Sequence, residues 1–297
     1  MTEEKHHGEE KVIATVLTHN RKELLLQTLE GLLSQTRPLD RIIIVDSVST
    51  DGTYDELKAK GILDRKAVKY ERLDSNKGPS GGFAEGVTRS LAEGATWVWI
   101  LDDDIVPKED CLEELLEHKD ISHLICPNRE GKTVPFFNPA VGLTTHHKNL
   151  SYEYGKELVF ANTGSFEGML VHKEVVSKIG VPDERFFQVG GDMVYGFEAS
   201  LYTNVLHVKE AFIHRLLPEK KPVNSRRAYL FMRNQFLVKE HLKKHGLFRA
   251  GLFYLVLTSL ALHYAVVIAF KTRSPRMPFA VVKGLMHGMF GKFGAPK

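Results

Sequence analysis

Three consecutive aspartates, Asp102, Asp103 and Asp104, end the apolar run in WVWILDDDIVP, residues 97 to 107 of this 297-residue chain. Like charges a few ångströms apart repel, and a partly buried carboxylate is costly unless it is paired or bound to a cation. Two carboxylates at the end of a strand can hold a hard divalent cation, Mg2+ or Mn2+, which in turn binds a diphosphate. Such a cation supplies the positive charge the run lacks and neutralises a departing phosphate. Taken alone, DDD reads more readily as a solvated acidic loop. His19, at the end of KVIATVLTH, and Asp46, in RIIIVDS, are further polar residues at the ends of apolar runs.

The elements that must position these residues decide between the two readings. KVIATVLTH (11 to 19) is a short β-rich run, followed by Asn20 as a helix cap and by RKELLLQTLEGLLSQ with leucines at helical spacing. Pro38 breaks that pattern before RIIIVDS (41 to 47), an apolar run of the kind buried on both faces of a sheet. STDGTYDELKAKG predicts a turn and helix, VKYERLD (68 to 74) a third strand, and NKGPSGGFAEGVTRSLAEG a glycine turn entering a helix. TWVWILDDD is the fourth strand. The order β-α-β-α-β-α-β implies a mostly parallel sheet with helices on both faces. Ligands of such sheets bind beyond the carboxyl ends of the strands, where His19, Asp46 and the aspartates all fall. That shared placement favours the metal. Other phosphate-binding designs fail: there is no GxxxxGK[ST] loop, and THNRKELL after the first strand contains no glycine. The glycine- and arginine-rich loop that sugar-nucleotide pyrophosphorylases carry after strand one is missing as well.

Length and composition fit one α/β domain with an appendage: hydrophobic residues make up 43% and charged residues 26%. The expected division is a flexible tail at 1–10, the α/β domain at 11–219 and a helical region at 220–297. Cys111 and Cys126 form neither a CxxC pair nor a zinc pattern, and MTEEKHHGEEK has no apolar core of a secretory signal, which points to the cytosol. The net charge of +3 conceals an asymmetry: from Lys220 onward there are 15 Lys and Arg against one acid, Glu240, whereas the first 219 residues carry 25 basic and 36 acidic residues. The basic end therefore expects an anionic partner. Within it, Ala250 to Phe270 holds 21 residues without Asp, Glu, Lys or Arg, flanked on both sides by Lys and Arg. Charge on both sides fits a single crossing poorly, because orientation follows a one-sided bias. Helices lying in the interface of an anionic membrane, on its cytoplasmic side, fit better. A buried helix of a soluble domain is the competing reading. Nucleic acid is not expected, since no groove-reading motif accompanies the charge.

The motifs VLTHNR, IIIVDSVSTDGT, NKGPSGGFAEG, WVWILDDD, FEGMLVHKEVVSKIGVPDERFF, GGDMVYGFEA and YLFMRN together resemble the inverting family-two glycosyltransferases of GT-A fold. Within that family the resemblance is strongest to the bacterial galactofuranosyl- and rhamnosyltransferase branch, and it covers about residues 11 to 240. The NxGxxGGF loop and IGVPDxRFF favour the galactofuranosyl side. Where the family loop reads VDNxSTDGT, this chain has Ser47 and Val48 after Asp46.

The resemblance implies roles. Thr18, Arg21 and Asp46 match positions that hold the nucleotide, with Asn76, Lys77, Gly81 and Gly82 where the family loop passes the donor and Asp102 and Asp103 at the diphosphate. Arg21 also reads as an ordinary surface charge, and the glycines as a plain strand-to-helix turn. Asp102, Asp104 and His214 are the implied ligands of Mn2+ or Mg2+. Asp192 of GGDMVYG is the implied base, preceded by Gly190 and Gly191 where relatives often have tryptophan and an acid. Asp183 and Glu184 are nearby acids in what reads as a leading turn. The implied partners are a UDP- or dTDP-sugar donor, a lipid-linked or cell-surface glycan acceptor and an anionic membrane surface through residues 220–297. An oligomer is compatible with the sequence. Two activities follow, galactofuranose transfer from UDP-galactofuranose and rhamnose transfer from dTDP-L-rhamnose. A reading of another class is an inactive, membrane-docked glycan-binding or scaffold subunit.

Overall fold

The computed structural model describes residues 10–129, 134–146, 158–217 and 223–296, with the side chains of 145–146 left out. In chain order the elements are β1 (Val12–Thr18), α1 (Lys22–Leu33), β2 (Arg41–Asp46), α2 (Thr53–Ala59), β3 (Val68–Arg72), α3 (Gly78–Ala92), β4 (Trp97–Asp102), β5 (Ile105–Pro107), α4 (Cys111–Leu116) and β6 (Leu124–Arg129). They continue with β7 (Pro135–Asn138), β8 (Leu143–His146), β9 (Leu158–Ala161), β10 (Met169–His172), α5 (Lys173–Ile179), a 3-10 turn (Glu184–Phe186), α6 (Gly191–Ser200) and β11 (Val205–Arg215). The C-terminal region contains α7 (Ser225–Lys244), α8 (Ala250–Leu262), α9 (Ala269–Thr272) and α10 (Met277–Met289).

The main sheet runs β3-β2-β1-β4-β10-β6-β11-β5, with β9 added to β11. Its first four strands are parallel, as the sequence predicts. Beyond β4 the sheet is mixed: β10 is antiparallel to β4 and β6, and β11 runs parallel to β6 but antiparallel to β5 and β9. Alternation along the strands builds two cores. Val12, Ala14, Val16, Trp97 and Trp99 face Leu25, Leu29 and Leu32 of α1. Ile13, Leu17, Val98 and Ile100 face Phe83 and Val87 of α3, and Tyr195 of α6. Both faces are covered, so β1, β2 and β4 are almost wholly apolar and end abruptly in their polar residues.

The C-terminal region is divided in its packing. Leu237, Val238 and Leu242 of α7 join Phe137, Phe186, Val194 and Phe197 in a third core, so α7 is built into the sheet domain. α8, a π-helical turn (His263–Ile268) and α9 make one helix, Ala250–Thr272, of 23 residues and mean hydropathy 2.1, long and apolar enough to cross a membrane by length and composition. Of α8, only Phe253 and Leu257 are buried. α10 lies back on α7 where Gly284 and Gly288 permit close approach; a Cβ on Gly284 would stand 2.5 Å from the Tyr229 carbonyl oxygen. Of the expected N-terminal tail, residues 1–9 lie outside the described residues.

Charge also joins α7 to α6. His241 places Nε2 3.1 Å from Asp183 and Nδ1 3.0 Å from Glu198, which also receives His245 at 2.7 Å and Lys244 at 3.1 Å. Burial opposes protonation of His241, but the two carboxylates outweigh it and raise its pKa to about 9. A raised pKa stabilises the fold fully below the ordinary value of 6.5, and this stability disappears as pH rises through about 9. The span corresponds to a contribution on the order of 3 kcal/mol. Wild type is therefore expected to lose melting temperature between about pH 6.5 and pH 9.5 more steeply than His241→Gln, as read by scanning calorimetry. Parallel curves for the two proteins would remove the charge from this account.

Candidate active site

The three aspartates leave β4 in different environments. Asp102, the last residue of β4, is partly exposed, and Asp103 and Asp104 are buried in the turn before β5. Burial pushes the Asp102 pKa well above the carboxylate range, and the negative charges of Asp104, Asp103 and Glu167 add to the effect against Arg215. Asp103 is also raised by burial, although Arg21 and Thr18 oppose it. Asp102 and Asp103 are thus held in surroundings that disfavour their charged forms, even with Arg21 and Arg215 nearby. An all-oxygen set of this kind fits Mg2+ or Mn2+, with Asp102 and Asp104 as its candidate members, the latter now paired with Arg215.

Asp103 is engaged in the scaffold. It accepts from the Thr18 hydroxyl at 2.9 Å and from Arg21 Nη1 at 2.9 Å, while its backbone oxygen accepts from Thr28 at 2.8 Å. These bonds fasten the end of β1 and the start of α1 to the turn after β4. Arg21 also stands 3.9 Å from Asp104. Its pairing with these aspartates outweighs the effect of burial and raises its pKa further. The arginine is therefore part of the carboxylate cluster rather than a lone surface charge.

Asp46, at the end of β2, is fully buried. Its carboxylate accepts from the Ser49 backbone N–H at 2.7 Å, from Arg72 Nη1 at 2.9 Å and from the Tyr70 hydroxyl. Arg72 Nη2 in turn donates to the Ser49 carbonyl at 2.8 Å. The Ser47–Asp51 loop is thereby closed over β2, with His19 Nδ1 2.7 Å from the Ser47 carbonyl. Val48 lies in the left-handed region at φ 63°, the cost of having valine in this loop.

The N-termini of α3 and α6 meet. Asn76 Oδ1 accepts from the Gly78 N–H at 2.8 Å, and Lys77 stands 3.8 Å from Glu85 and 3.7 Å from Glu184. Gly78 has φ 68°, and a Cβ there would strike the Phe187 carbonyl. A Cβ on Gly82 would collide with the Leu17 side chain, so this glycine lets α3 pack on β1; one on Gly81 would meet Lys77. Across the gap, a Cβ on Gly191 would come 2.5 Å from Ser80 Oγ. Gly191 thus brings the start of α6 against the first turn of α3, and Asp192, half-buried, is the next residue of that helix. Asp183 caps the 3-10 turn through the Arg185 N–H at 3.0 Å and pairs with Arg185 and His241, a structural position.

The third implied ligand is His214. It is exposed on β11 opposite Val106, with its ring against Phe212 at 4.9 Å. The β11 side chain that reaches Asp104 is the next one, Arg215, at 3.4 Å, which also binds Glu167 at 2.8 Å. Among the described residues, one group of three has its ligand atoms within 4.8 Å of each other: His123, His172 and Glu174. It adjoins Trp97, at the opposite end of β4 from Asp102. His207 is buried, 3.1 Å from the Thr163 carbonyl. Sequence reasoning passed over Tyr70, Arg72, Glu167 and Arg215. The signal for Glu167 was present: an acid in FEGMLV, two residues before a strand.

The family model for glycosyl transferase family 2 matches residues 14–179. Galactofuranosyltransferase GlfT1 of Mycobacterium tuberculosis (strain H37Rv) is 33% identical over 195 residues, covering 62% of this chain and 62% of that protein. The chain thus spans less than two thirds of the length of this curated relative. Of solved structures, S. aureus TarS 1–349 superposes with TM-score 0.62 at 15% identity over 94% of this chain and 80% of that one. GalNAc-T7 superposes with TM-score 0.60 at 11% identity over 90% and 58%. Their likeness is one of fold, the GT-A α/β fold. With more than half of its length matched by the family model, the chain belongs to glycosyl transferase family 2.

Proposed function

We propose that the protein transfers galactofuranose from UDP-galactofuranose to a hydroxyl of a lipid-linked or cell-surface glycan, with inversion. What supports this reading is the carboxylate cluster Asp102–Asp104 after β4 on a family-two fold, in a chain 33% identical to a galactofuranosyltransferase over 195 residues. The donor sugar rests on that relative. GalNAc-T7 was solved with UDP, GalNAc and Mn2+, and TarS has been solved with UDP-GlcNAc, which supports a UDP-sugar on this fold.

Thr18, Asp46 and the loop that Asp46 closes would frame the nucleotide. Arg21 would exchange part of its contact with Asp103 for the donor phosphates, and Asn76, Lys77 and the glycine turn through Gly81 and Gly82 would border the sugar diphosphate. Asp102 and Asp104 would hold Mn2+ or Mg2+, with His214 as the third ligand that the family resemblance implies. A bound divalent cation would neutralise charge on the departing diphosphate. Asp192 would accept the acceptor hydroxyl's proton as its oxygen bonds to the anomeric carbon and the carbon–oxygen bond to the diphosphate breaks. A donor screen with Mn2+, following nucleotide diphosphate release from UDP-galactofuranose, dTDP-rhamnose and UDP-hexopyranoses, tests this. Turnover with dTDP-rhamnose alone would make the protein a rhamnosyltransferase. Turnover with none of them, in the presence of glycan acceptors, would favour the inactive glycan-binding reading.

The helical region would keep the enzyme at the cytoplasmic face of a membrane. Phe270 and Phe279 are 86% and 78% exposed, and Leu255, Leu262, Val266 and Phe290 are exposed as well, among a surplus of Lys and Arg. Apolar side chains in water beside basic ones suit an anionic bilayer interface. Full-length protein is expected to float with vesicles containing phosphatidylglycerol and to be released only partly by high salt, because apolar burial survives screening. Absence from the vesicle fraction at low salt would end the membrane reading.

A further inference from the structure

Asp192 is preceded by a strained turn. Phe187 has φ 60°, Val189 φ 73° and Gly190 φ 90°, so three residues within four are left-handed, one of them β-branched. Such strain persists only where the surroundings over-determine it. On one side the turn meets α3: the Ser80 N–H donates to the Phe187 carbonyl at 3.1 Å, and Gly78 leaves room for that carbonyl. On the other side it meets two consecutive residues of α7. Asn234 Nδ2 donates to Phe186, Gln188 and Val189 carbonyls at 3.0, 2.8 and 2.8 Å. Arg233, fully buried, donates through Nη2 to the Phe186 carbonyl at 3.0 Å and through Nη1 to the Gly294 carbonyl at 2.6 Å. Its Nε donates to Asn234 Oδ1 at 3.0 Å, which aims the amide so that its NH2 faces the turn.

We propose that Asn234, oriented by Arg233, is a positioning residue for Asp192: it holds the carbonyls of the 186–189 turn so that α6, with Asp192 in its first turn, begins against the first turn of α3. This rests on the reading of Asp192 as the base. The residue types fit the task. Three carbonyl oxygens crowd one point, and an amide NH2 offers two protons with no charge to desolvate. A guanidinium fork can meet oxygens on two segments at once. Burial lowers the Arg233 pKa, the mark of a cation kept at a cost in solvation. Without Asn234 the turn can relax from its left-handed angles, and Asp192 shifts relative to the donor loop.

Asn234→Ala is expected to lower kcat about 10- to 100-fold, as for a small displacement of a reacting group, with donor KM and UDP binding little changed. The deciding measurement is a double-mutant cycle with Asp192→Asn, in purified full-length protein. If Asn234 acts through Asp192, Asn234→Ala costs little further turnover once the base is gone. Losses that multiply in the double variant, or a donor KM that rises as kcat falls, would overturn the proposal and leave Asn234 a general structural residue. Should Asn234→Ala not fold, Arg233→Lys, which keeps the charge but loses the fork, enters the same cycle with the same expected pattern. Near-normal turnover of Asp192→Asn by itself would instead remove the base assignment. Loss in Asp192→Asn with none in Asn234→Ala would remove only the positioning role.

Discussion

Asp192→Asn should bind UDP and Mn2+ nearly as wild type does and yet lose transfer by a factor on the order of 10² to 10⁴, the usual worth of a general base. The amide keeps the shape of the side chain but cannot take a proton from the acceptor. Asp192 sits in the first turn of α6, on a different element from the carboxylates after β4. A base contributes in the transition state and little in the donor complex, so kcat should fall while donor KM stays close to its value. Calorimetry with UDP and Mn2+ beside a transfer assay separates the two. Near-normal turnover, or UDP binding lost as severely as turnover, would disqualify Asp192. Asp183 is then a poor substitute, because its carboxylate is held by Arg185 and His241 and its pKa lies well below the ordinary range. Glu184, 62% exposed and 3.7 Å from Lys77, would be the next residue to test.

Much of the fold was legible because the parallel strands are buried on both faces and leave continuous apolar runs; β1, β2 and β4 begin and end within a residue or two of the expected spans. The mixed half of the sheet was not. β10 has four residues, and its place between β4 and β6 is fixed by partners far away in sequence. His214 shows the limit most clearly. The pairing of β11 with β6 shifts between Val208 and Phe212, and such an irregularity exchanges which face each later side chain takes. Spacing could therefore identify the end of β11 but not whether His214 or Arg215 turns to Asp104. Gly82 was legible as a glycine, but not as one required by Leu17, since helix-on-strand contact and donor approach demand the same missing Cβ.

Chelation with excess EDTA should abolish transfer and Mn2+ should restore it, and the aspartates should divide when changed singly. Asp104→Ala is expected to weaken both metal and donor binding and to reduce kcat/KM by at least about 100-fold, since a cation at a leaving diphosphate is worth several kcal/mol and each 1.36 kcal/mol is tenfold. Asp102→Ala should behave alike, because it removes an oxygen ligand from the same cluster. Asp103→Asn should differ. Its oxygens hold Thr18 and Arg21, so its loss should appear first as a lower melting temperature and weaker donor binding, with the Mn2+ requirement unchanged. His214→Ala measures whether the imidazole is a ligand: a raised Mn2+ requirement makes it one, while an unchanged one leaves Asp102, Asp104 and the donor's phosphates to complete the shell. His123→Ala is the control, because the His123, His172 and Glu174 group lies at the far end of β4 and its loss should leave metal-dependent turnover intact. Undiminished transfer in excess chelator would separate the three aspartates from any metal, leaving Arg21 and Arg215 as the cations that meet the diphosphate.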